Sequence, residues 1–257
     1  QGETLELWDI PGDRRLNVAS VPGLTGVTAL PNACVTLARG IARLHERAGA
    51  SRILHHQATA AGWDDQRQEL LVAAGRQVWV HDPQGRKRGR FPADVGATAV
   101  RRVGEWIAVG FRDGNIELIP TRAGQTKPAF TFEGVPSTPV VKIIPGPRGT
   151  LLAGYANGLL GLWSLQNGAL LEQARLHGPV IHLLIKGTRL YAASGLGQHV
   201  TWDLGMFHFP YCELLRRVWE KVPIVWESGL PVLRPPPRSH RCRGASTPSR
   251  RPTPGVL

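Results

Sequence analysis

A repeated pattern at the ends of short apolar segments is the feature that most constrains the fold of this chain. The stretch LLAGYANGLLGLWSL (151–165) places an Asn157-Gly158 pair between two such segments, the strongest short-range signal for a β-hairpin. Its second segment ends at Trp163. The matching positions along the chain are Trp8, Leu44, His81, Ile119, Trp163 and Trp202, separated by 36, 37, 38, 44 and 39 residues. The segments lack the 3.6-residue period of helical repeats, so the spacing predicts repeated units of four β-strands.

Within these units the polarity of the segments follows a fixed order. The second segments are the most apolar and contain small residues, as in ELLVAAG (69–75), WIAVGF (106–111) and TLLAGYA (150–156). A strand that is buried on both faces gives such a continuous apolar run. The fourth segments are the most polar, as expected at the outer edge of a sheet. This gradient predicts an all-β chain in which apolar inner strands stack about a common axis.

The predicted strands group into four full units between two partial ones. We predict a partial unit at 1–20, full units at 27–57, 58–92, 97–134 and 140–176, and a partial unit at 180–204. The fourth strand of the 97–134 unit is the segment PAFTFEG (128–134). Because the first unit starts with its third strand, we expect the chain to be part of a longer protein.

Residues 1–204 resemble the WD-repeat β-propeller family in period and polarity gradient. In that family, an Asp in the turn six residues before the repeat Trp hydrogen-bonds a His at the blade junction. Asp113 and Asn157 hold this turn position here, whereas the other units have Gly2, Ala38, Gly75 and Leu196. No Gly-His dipeptide precedes any unit. The resemblance implies an incomplete propeller of four-stranded antiparallel blades, with structural roles for the signature residues Trp8, Asp9, Asp113, Asn157, Trp163, Trp202 and Asp203.

Residues 205–233 predict a short helix followed by one strand. Apolar residues fall on one face of a helix between Pro210 and Pro223, at Tyr211, Leu214, Leu215, Val218 and Val222. This face fits a cap on the end of the propeller, or a docking helix for a partner or a membrane surface. The segment 224–233 could supply the fourth strand of the last blade. Residues 234–257 are rich in Pro, Ser and Arg, which predicts a disordered tail.

The net charge of +12 is concentrated near the C-terminus, where residues 205–257 carry half of the excess. Attraction to nucleic acid or anionic surfaces would therefore fall mainly on the tail. A second basic run, Arg86, Lys87, Arg88 and Arg90, lies on a predicted outer strand. Two interpretations of this run stay open: a solvated edge that opposes strand pairing, and an anion-binding site.

Cys34, Cys212 and Cys242 are widely spaced and form no CxxC pair, so we predict neither a disulfide nor a zinc site. This favours a reducing, cytoplasmic compartment. No apolar run approaches the roughly 18 residues of a membrane helix, and we expect no membrane partner. His55, His56 and His81 were candidates for a metal site. Adjacent histidines on a strand point to opposite faces, which favours structural roles.

The sequence lacks the GxSxG, HExxH and GxxxxGK[ST] motifs. We therefore expect no catalytic residue, no metal and no cofactor. The favoured function is a scaffold that mediates protein–protein contacts. The alternatives are a regulatory or sensory propeller of a larger bacterial signalling enzyme, such as a Ser/Thr protein kinase, and binding of nucleic acid or anionic surfaces through the basic tail. An enzyme that used the central channel would need converging polar side chains, whereas the inner strands offer mostly Ala, Gly, Leu and Val.

Overall fold

The computed structural model describes residues 4–9, 14–122, 124–128, 130–222, 224–233 and 241–242. The chain divides into two compact units, Gln1–Trp202 and Asp203–Leu257. Antiparallel sheets make up the first unit, and each is a simple up-and-down succession of strands.

The first half of this unit contains a two-stranded sheet and two four-stranded sheets. The two-stranded sheet consists of β1 (Thr4–Asp9) and β2 (Arg14–Ser20). The next sheet consists of β3 (Leu24–Leu30), β4 (Ala33–Ala38), β5 (Ile41–Glu46) and β6 (Ser51–His56). The third consists of β7 (Ala58–Asp64), β8 (Glu69–Ala74), β9 (Gln77–His81) and β10 (Lys87–Pro92).

The second half contains one four-stranded sheet between two three-stranded ones. The first of these consists of β11 (Ala97–Val103), β12 (Trp106–Phe111) and β13 (Ile116–Pro120). The four-stranded sheet consists of β14 (Val140–Pro145), β15 (Thr150–Tyr155), β16 (Leu159–Ser164) and β17 (Leu170–Arg175). The last consists of β18 (Val180–Lys186), β19 (Arg189–Ser194) and β20 (His199–Asp203).

The first strands of successive sheets lie side by side, in the order β3, β7, β11, β14 and β18. The second strands β4, β8, β12 and β15 are buried along nearly their whole length. No described residue between 27 and 204 is helical. These observations confirm the predicted fold class, an all-β propeller of antiparallel blades, and its most apolar strands, the second strand of each sheet, are buried.

Glycines on the buried second strands allow neighbouring sheets to approach closely. A Cβ atom on Gly110 of β12 would lie 2.6 Å from the Val140 side chain of the next sheet. A Cβ atom on Gly154 of β15 would lie equally close to Val180 of the sheet after that. The same residue pair thus recurs at two successive sheet interfaces. Small residues on the second strands set the distance between blades, as their composition suggested.

The predicted fourth strand at 128–134 is wrong, because the described residues of this segment form no strand. The backbone N–H of Glu133 donates to the Gly168 carbonyl oxygen at 2.9 Å, in the following sheet's β16–β17 loop. The Glu133 carbonyl oxygen accepts from the Trp163 indole N–H at 2.8 Å, and the Phe132 ring meets that indole edge-on. The segment therefore pairs the backbone of Glu133 and buries the Phe132 ring against the following blade, which leaves the β11–β13 sheet with three strands.

The second unit contains a 3-10 helix (Gly205–His208), the helix α1 (Tyr211–Lys221) and the strands β21 (Ile224–Glu227) and β22 (Leu230–Leu233). The single strand predicted at 224–233 is wrong, because β21 and β22 pair with each other in a hairpin. Ser228 and Gly229 between them both have positive φ angles, of 50° and 80°, as tight two-residue hairpin turns require. Helix α1 is present as predicted, and none of its residues is buried.

The prediction of no disulfide is also wrong, because Cys212 of α1 is bonded to Cys242. Cys34 is free and buried on β4. Spacing alone could not pair two cysteines 30 residues apart. Disulfides persist mainly in oxidising compartments, so the cysteines no longer support the expected cytoplasmic location. The predicted disordered tail at 234–257 lies outside the described residues except for 241–242.

In the described part of the chain, no helix has both the length and the apolar character of a membrane span.

Candidate interaction surfaces

The two polar residues at the repeat's turn position form hydrogen bonds within their own turns. Oδ1 of Asp113 accepts from the backbone N–H of Asn115 at 3.1 Å. Oδ1 of Asn157 accepts from the backbone N–H of Leu159 at 3.0 Å. Both side chains satisfy a donor that the reversal of the chain would otherwise leave unpaired. They stabilise the hairpin that leads into the third strand of each sheet.

The two tryptophans of the repeat position whose side chains are described occupy different environments. Trp163 on β16 is fully buried, whereas Trp202 on β20 is partly exposed. Trp8 and Asp9 lie at the end of β1, opposite Arg15 and Arg14 of β2, and their side chains are outside the described residues.

Asp203 has a local role at the end of β20. Its Oδ1 accepts from the backbone N–H of Gly205 at 2.8 Å. This contact stabilises the start of the 3-10 helix that follows the strand.

The first strands of five sheets line a cleft of about 800 Å³, which we call the inner cleft. Val27 of β3 and Ile181 of β18 line it and are 48% and 53% exposed. The threonine hydroxyls of Thr28 and Thr98 donate to backbone carbonyl oxygens and so help to fix the cleft wall. From the sequence we expected mostly Ala, Gly, Leu and Val around the centre of the propeller, so the polar side chains that line this cleft were not predicted.

Two cationic side chains also line the inner cleft. Lys142 is exposed to solvent, but the loss of part of its hydration within the cleft lowers its pKa, and the nearby charge of Arg101 lowers it further. Burial likewise lowers the pKa of Arg101, which the carboxylates of Asp64 and Asp65 oppose. Lys142 has no carboxylate partner within the described residues. The inner cleft therefore offers hydroxyl, cationic and apolar groups, a combination suited to binding.

Of the four basic residues predicted on an outer strand, Arg86 has a structural role. Its Nε donates to Oδ2 of Asp82 at 2.6 Å, and its backbone N–H donates to Oδ1 at 2.8 Å. Burial acts to raise the pKa of Asp82, but the hydrogen bonds from Arg86 prevail and hold it below its ordinary value. This pair closes the turn between β9 and β10, so the role of Arg86 is to stabilise that turn.

Lys87, Arg88 and Arg90 are exposed on β10, and two of them lie over the Trp79 ring of β9. Nζ of Lys87 is 4.5 Å from the ring centroid, and Cζ of Arg90 is 5.9 Å from it. The His55 imidazole of β6 stacks on the same indole at 4.8 Å. We call this surface, formed by Arg52, His55, Trp79, Lys87 and Arg90, the basic groove.

His55 and His81, which the sequence suggested only as discounted metal ligands, form a hydrogen-bonded pair, and His55 is also part of the basic groove. Their Nε2 atoms are 3.0 Å apart, and Nδ1 of His81 donates to the Gly85 carbonyl oxygen at 3.0 Å. Because Nδ1 of His81 carries its proton, the neutral ring accepts at Nε2 from the N–H of His55. Burial lowers the pKa of both rings, and the charge of Lys87 adds to the effect.

His56, the neighbour of His55, is exposed, in agreement with the alternation of a strand. Three or more His, Cys, Asp or Glu side chains do not gather into a metal-binding group anywhere in the described ranges.

No family model and no curated protein sequence matches this chain. Many solved structures resemble it in fold, and two of them illustrate the likeness. One is the crystal structure of the computationally designed Ika8 protein, with a TM-score of 0.56, 20% identity, and coverage of 78% of this chain and 65% of that one. The other is the crystal structure of a mitotic checkpoint complex, with a TM-score of 0.59, 14% identity, and coverage of 79% and 66%. The chain thus spans just under two thirds of each matched chain, and these likenesses show the fold alone.

Proposed function

We propose that this chain is a non-catalytic protein-interaction module whose partner binds in the inner cleft. The observation that carries the proposal is the exposure of Val27 and Ile181 within one cleft, which the cation of Lys142 also lines. Exposed apolar side chains bordered by polar groups are typical of protein-binding surfaces. Water solvates such side chains at a free-energy cost that a bound partner relieves.

The strands behind the inner cleft support this proposal, because they make its surface rigid. The second strands β4, β8, β12 and β15 are buried almost throughout and hydrogen-bond to the first strands along their length. Side chains on such a support lose little conformational entropy on binding. A rigid scaffold with a variable surface is how propellers accommodate many different partners.

We also propose that the chain is a divergent WD-repeat propeller domain within a larger protein. The repeat period, the turn contacts of Asp113 and Asn157, and the buried Trp163 support this assignment. The four-stranded blades at 27–57, 58–92 and 140–176 and the three-stranded blade within 97–134 form its body, with partial blades at 1–20 and 180–204. Residues 205–257 form a C-terminal extension.

Site-specific photo-crosslinking in an extract of the source cells tests the proposed function. A photoreactive phenylalanine analogue replaces Val27 or Ile181 in the inner cleft. The control replaces Leu171, which is 41% exposed on the outer strand β17. We expect the same cross-linked protein from both cleft positions and not from Leu171. Cross-linking that is equal at all three positions, or absent from the cleft positions, would refute binding in the inner cleft.

A further inference from the structure

The basic groove carries several exposed cations that have no carboxylate partner among the described residues. Several exposed basic side chains pair with a carboxylate, as in the pairs Arg67–Glu105, Arg122–Glu105 and Lys127–Glu117. By contrast, no carboxylate within the described residues pairs with Arg52, Lys87, Arg88 or Arg90. These cations therefore form a positive surface that an anionic group can neutralise.

An irregularity in β10 places two of these cations on one face. Lys87 is opposite His81 and Gly89 is opposite Val80, so Arg88 is an extra residue in the ladder. In a regular strand, residues three apart point to opposite faces of the sheet. The bulge at Arg88 brings Lys87 and Arg90 onto the same face, where both contact Trp79. Their positions are thus set before any ligand binds.

The backbone of β10 is available for pairing, because β10 is the outermost strand in the order β10-β9-β8-β7. A Cβ atom added at Gly89 would have no heavy atom within 4 Å, so the sheet face over this residue is also open. An edge strand with free backbone groups can accept an extended peptide as an additional strand. Positive charges along that edge repel neutral or basic strands and select an acidic one.

The contacts that already cover the Trp79 ring favour a peptide ligand over single-stranded nucleic acid. Proteins bind single strands without sequence preference by stacking bases on open aromatic faces. The Trp79 indole is already stacked against His55, and Lys87 and Arg90 lie over it. Phe91, the other aromatic residue of β10, packs against a hydrophobic core. The basic groove thus offers charge and a strand edge but no open stacking surface.

We infer that the basic groove binds an extended acidic peptide, which pairs with the free edge of β10 while its anionic side chains contact Lys87 and Arg90. This inference rests on the proposed interaction function and specifies a second contact and its chemistry. The bound peptide carries acidic residues at alternate positions, because alternate side chains of a strand share one face.

Fluorescence anisotropy on the full chain tests the inference with a labelled peptide of alternating Glu and Val. The binding variant is Lys87→Gln with Arg90→Gln. The control is Arg122→Gln with Lys127→Gln, which removes the same charge from ion-paired positions. We expect the binding variant to lose about tenfold in affinity, as a difference of about 1.4 kcal/mol gives, and the control to stay within about twofold. Circular dichroism melts establish that both variants are folded.

Three further ligands test separately the need for negative charge, the need for backbone pairing and the preference for a peptide over nucleic acid. A peptide with Gln in place of Glu should bind weakly, and the Glu peptide methylated at alternate backbone nitrogens should also bind weakly. An oligo(dT) strand should bind more weakly than the Glu peptide. Equal affinity of the two double variants, unchanged binding of the methylated peptide, or tighter binding of oligo(dT) would overturn the inference. Cross-linking at Val27 distinguishes this failure from a failure of the proposed function. If cross-linking persists in the Lys87→Gln, Arg90→Gln variant, the proposed function stands even though the inference fails.

Discussion

Nε2 of His55 lies 3.0 Å from Nε2 of His81, and this contact joins the outer strand β6 of one sheet to β9 of the next. The pair needs one ring to donate and the other to accept, so it forms only while at least one ring is neutral. The charged groups that act on it are Lys87, Arg52 and Asp82, two cations and one carboxylate. This environment opposes a positive charge on either imidazole.

Protonation of the pair should therefore reduce stability at acidic pH. Burial, the partner ring and Lys87 together lower the pKa of His55 from 6.5 to about 4. Between pH 6.5 and pH 4, His55 takes up a proton in the unfolded chain but stays neutral in the folded chain. The contribution of neutral His55 to the free energy of unfolding is therefore complete above pH 6.5 and is lost as the pH falls toward 4. Urea unfolding at pH 7.5 and pH 5 should show a loss about 1 kcal/mol larger for the wild type than for His55→Gln, a modest value because the pair is partly exposed.

His56→Gln is the control for this measurement, because it alters an exposed histidine on the same strand. Its loss of stability between the two pH values should equal that of the wild type. If His55→Gln also shows the wild-type loss, the His55–His81 pair makes no contribution to the pH dependence.

Gly158 should be intolerant of any side chain. Its φ angle is +85°, and a Cβ atom would lie 1.8 Å from the carbonyl oxygen of Leu176, too close for the turn to persist unchanged. Gly158→Ala should lower the free energy of unfolding by about 3 kcal/mol or more. Gly187→Ala is the matched control, because Gly187 has a φ of +62° and no atom within 4 Å of the added Cβ. It should cost about 1 kcal/mol, and equal costs in chemical denaturation would disprove the close approach at Gly158.

Much of the fold could be predicted because burial imposes a pattern on single strands. The apolar runs of β8, β12 and β15 reflect burial on both faces, and Asn157-Gly158 encodes a tight turn locally. The segment 128–134 was misassigned because its aromatic and β-branched residues also suit a strand. Its partners, Gly168 and Trp163, belong to the next sheet, and composition does not identify such distant partners.

The surfaces were less predictable than the fold, because they depend on register and on contacts between strands. The sequence showed the basic run on β10. It did not show that Arg86 pairs with Asp82 or that the strand has a bulge at Arg88. The convergence of Lys87 and Arg90 on Trp79 follows from that bulge. Similarly, alternation along one strand placed His55 and His56 on opposite faces but could not pair His55 with His81.

Trp163 should contribute more to stability than Trp202, although both hold the repeat position. Trp163 is fully buried, and its indole N–H donates to the Glu133 carbonyl oxygen. Trp163→Phe removes this donor and part of the buried ring, at a cost of about 2–3 kcal/mol from the lost hydrogen bond and the lost packing. Trp202→Phe, at a partly exposed position, should cost about 1 kcal/mol or less. Thermal unfolding of the two variants gives the comparison, and a Trp202→Phe cost as large as that of Trp163→Phe would contradict it.

The Cys212–Cys242 disulfide can be tested directly by counting thiols. With the chain denatured but not reduced, iodoacetamide should label only Cys34, because the other two cysteines are bonded to each other. After reduction, all three should be labelled, and peptide mass spectrometry before reduction should find a cross-linked Cys212–Cys242 pair.

In the chain-entropy model, a bond across 30 residues stabilises by about 3–4 kcal/mol. Cys212→Ser should therefore make helix α1 more sensitive to proteolysis, whereas Cys34→Ser should leave that sensitivity unchanged. Labelling of three thiols without reduction would show that the bond is absent and restore the argument for a reducing compartment.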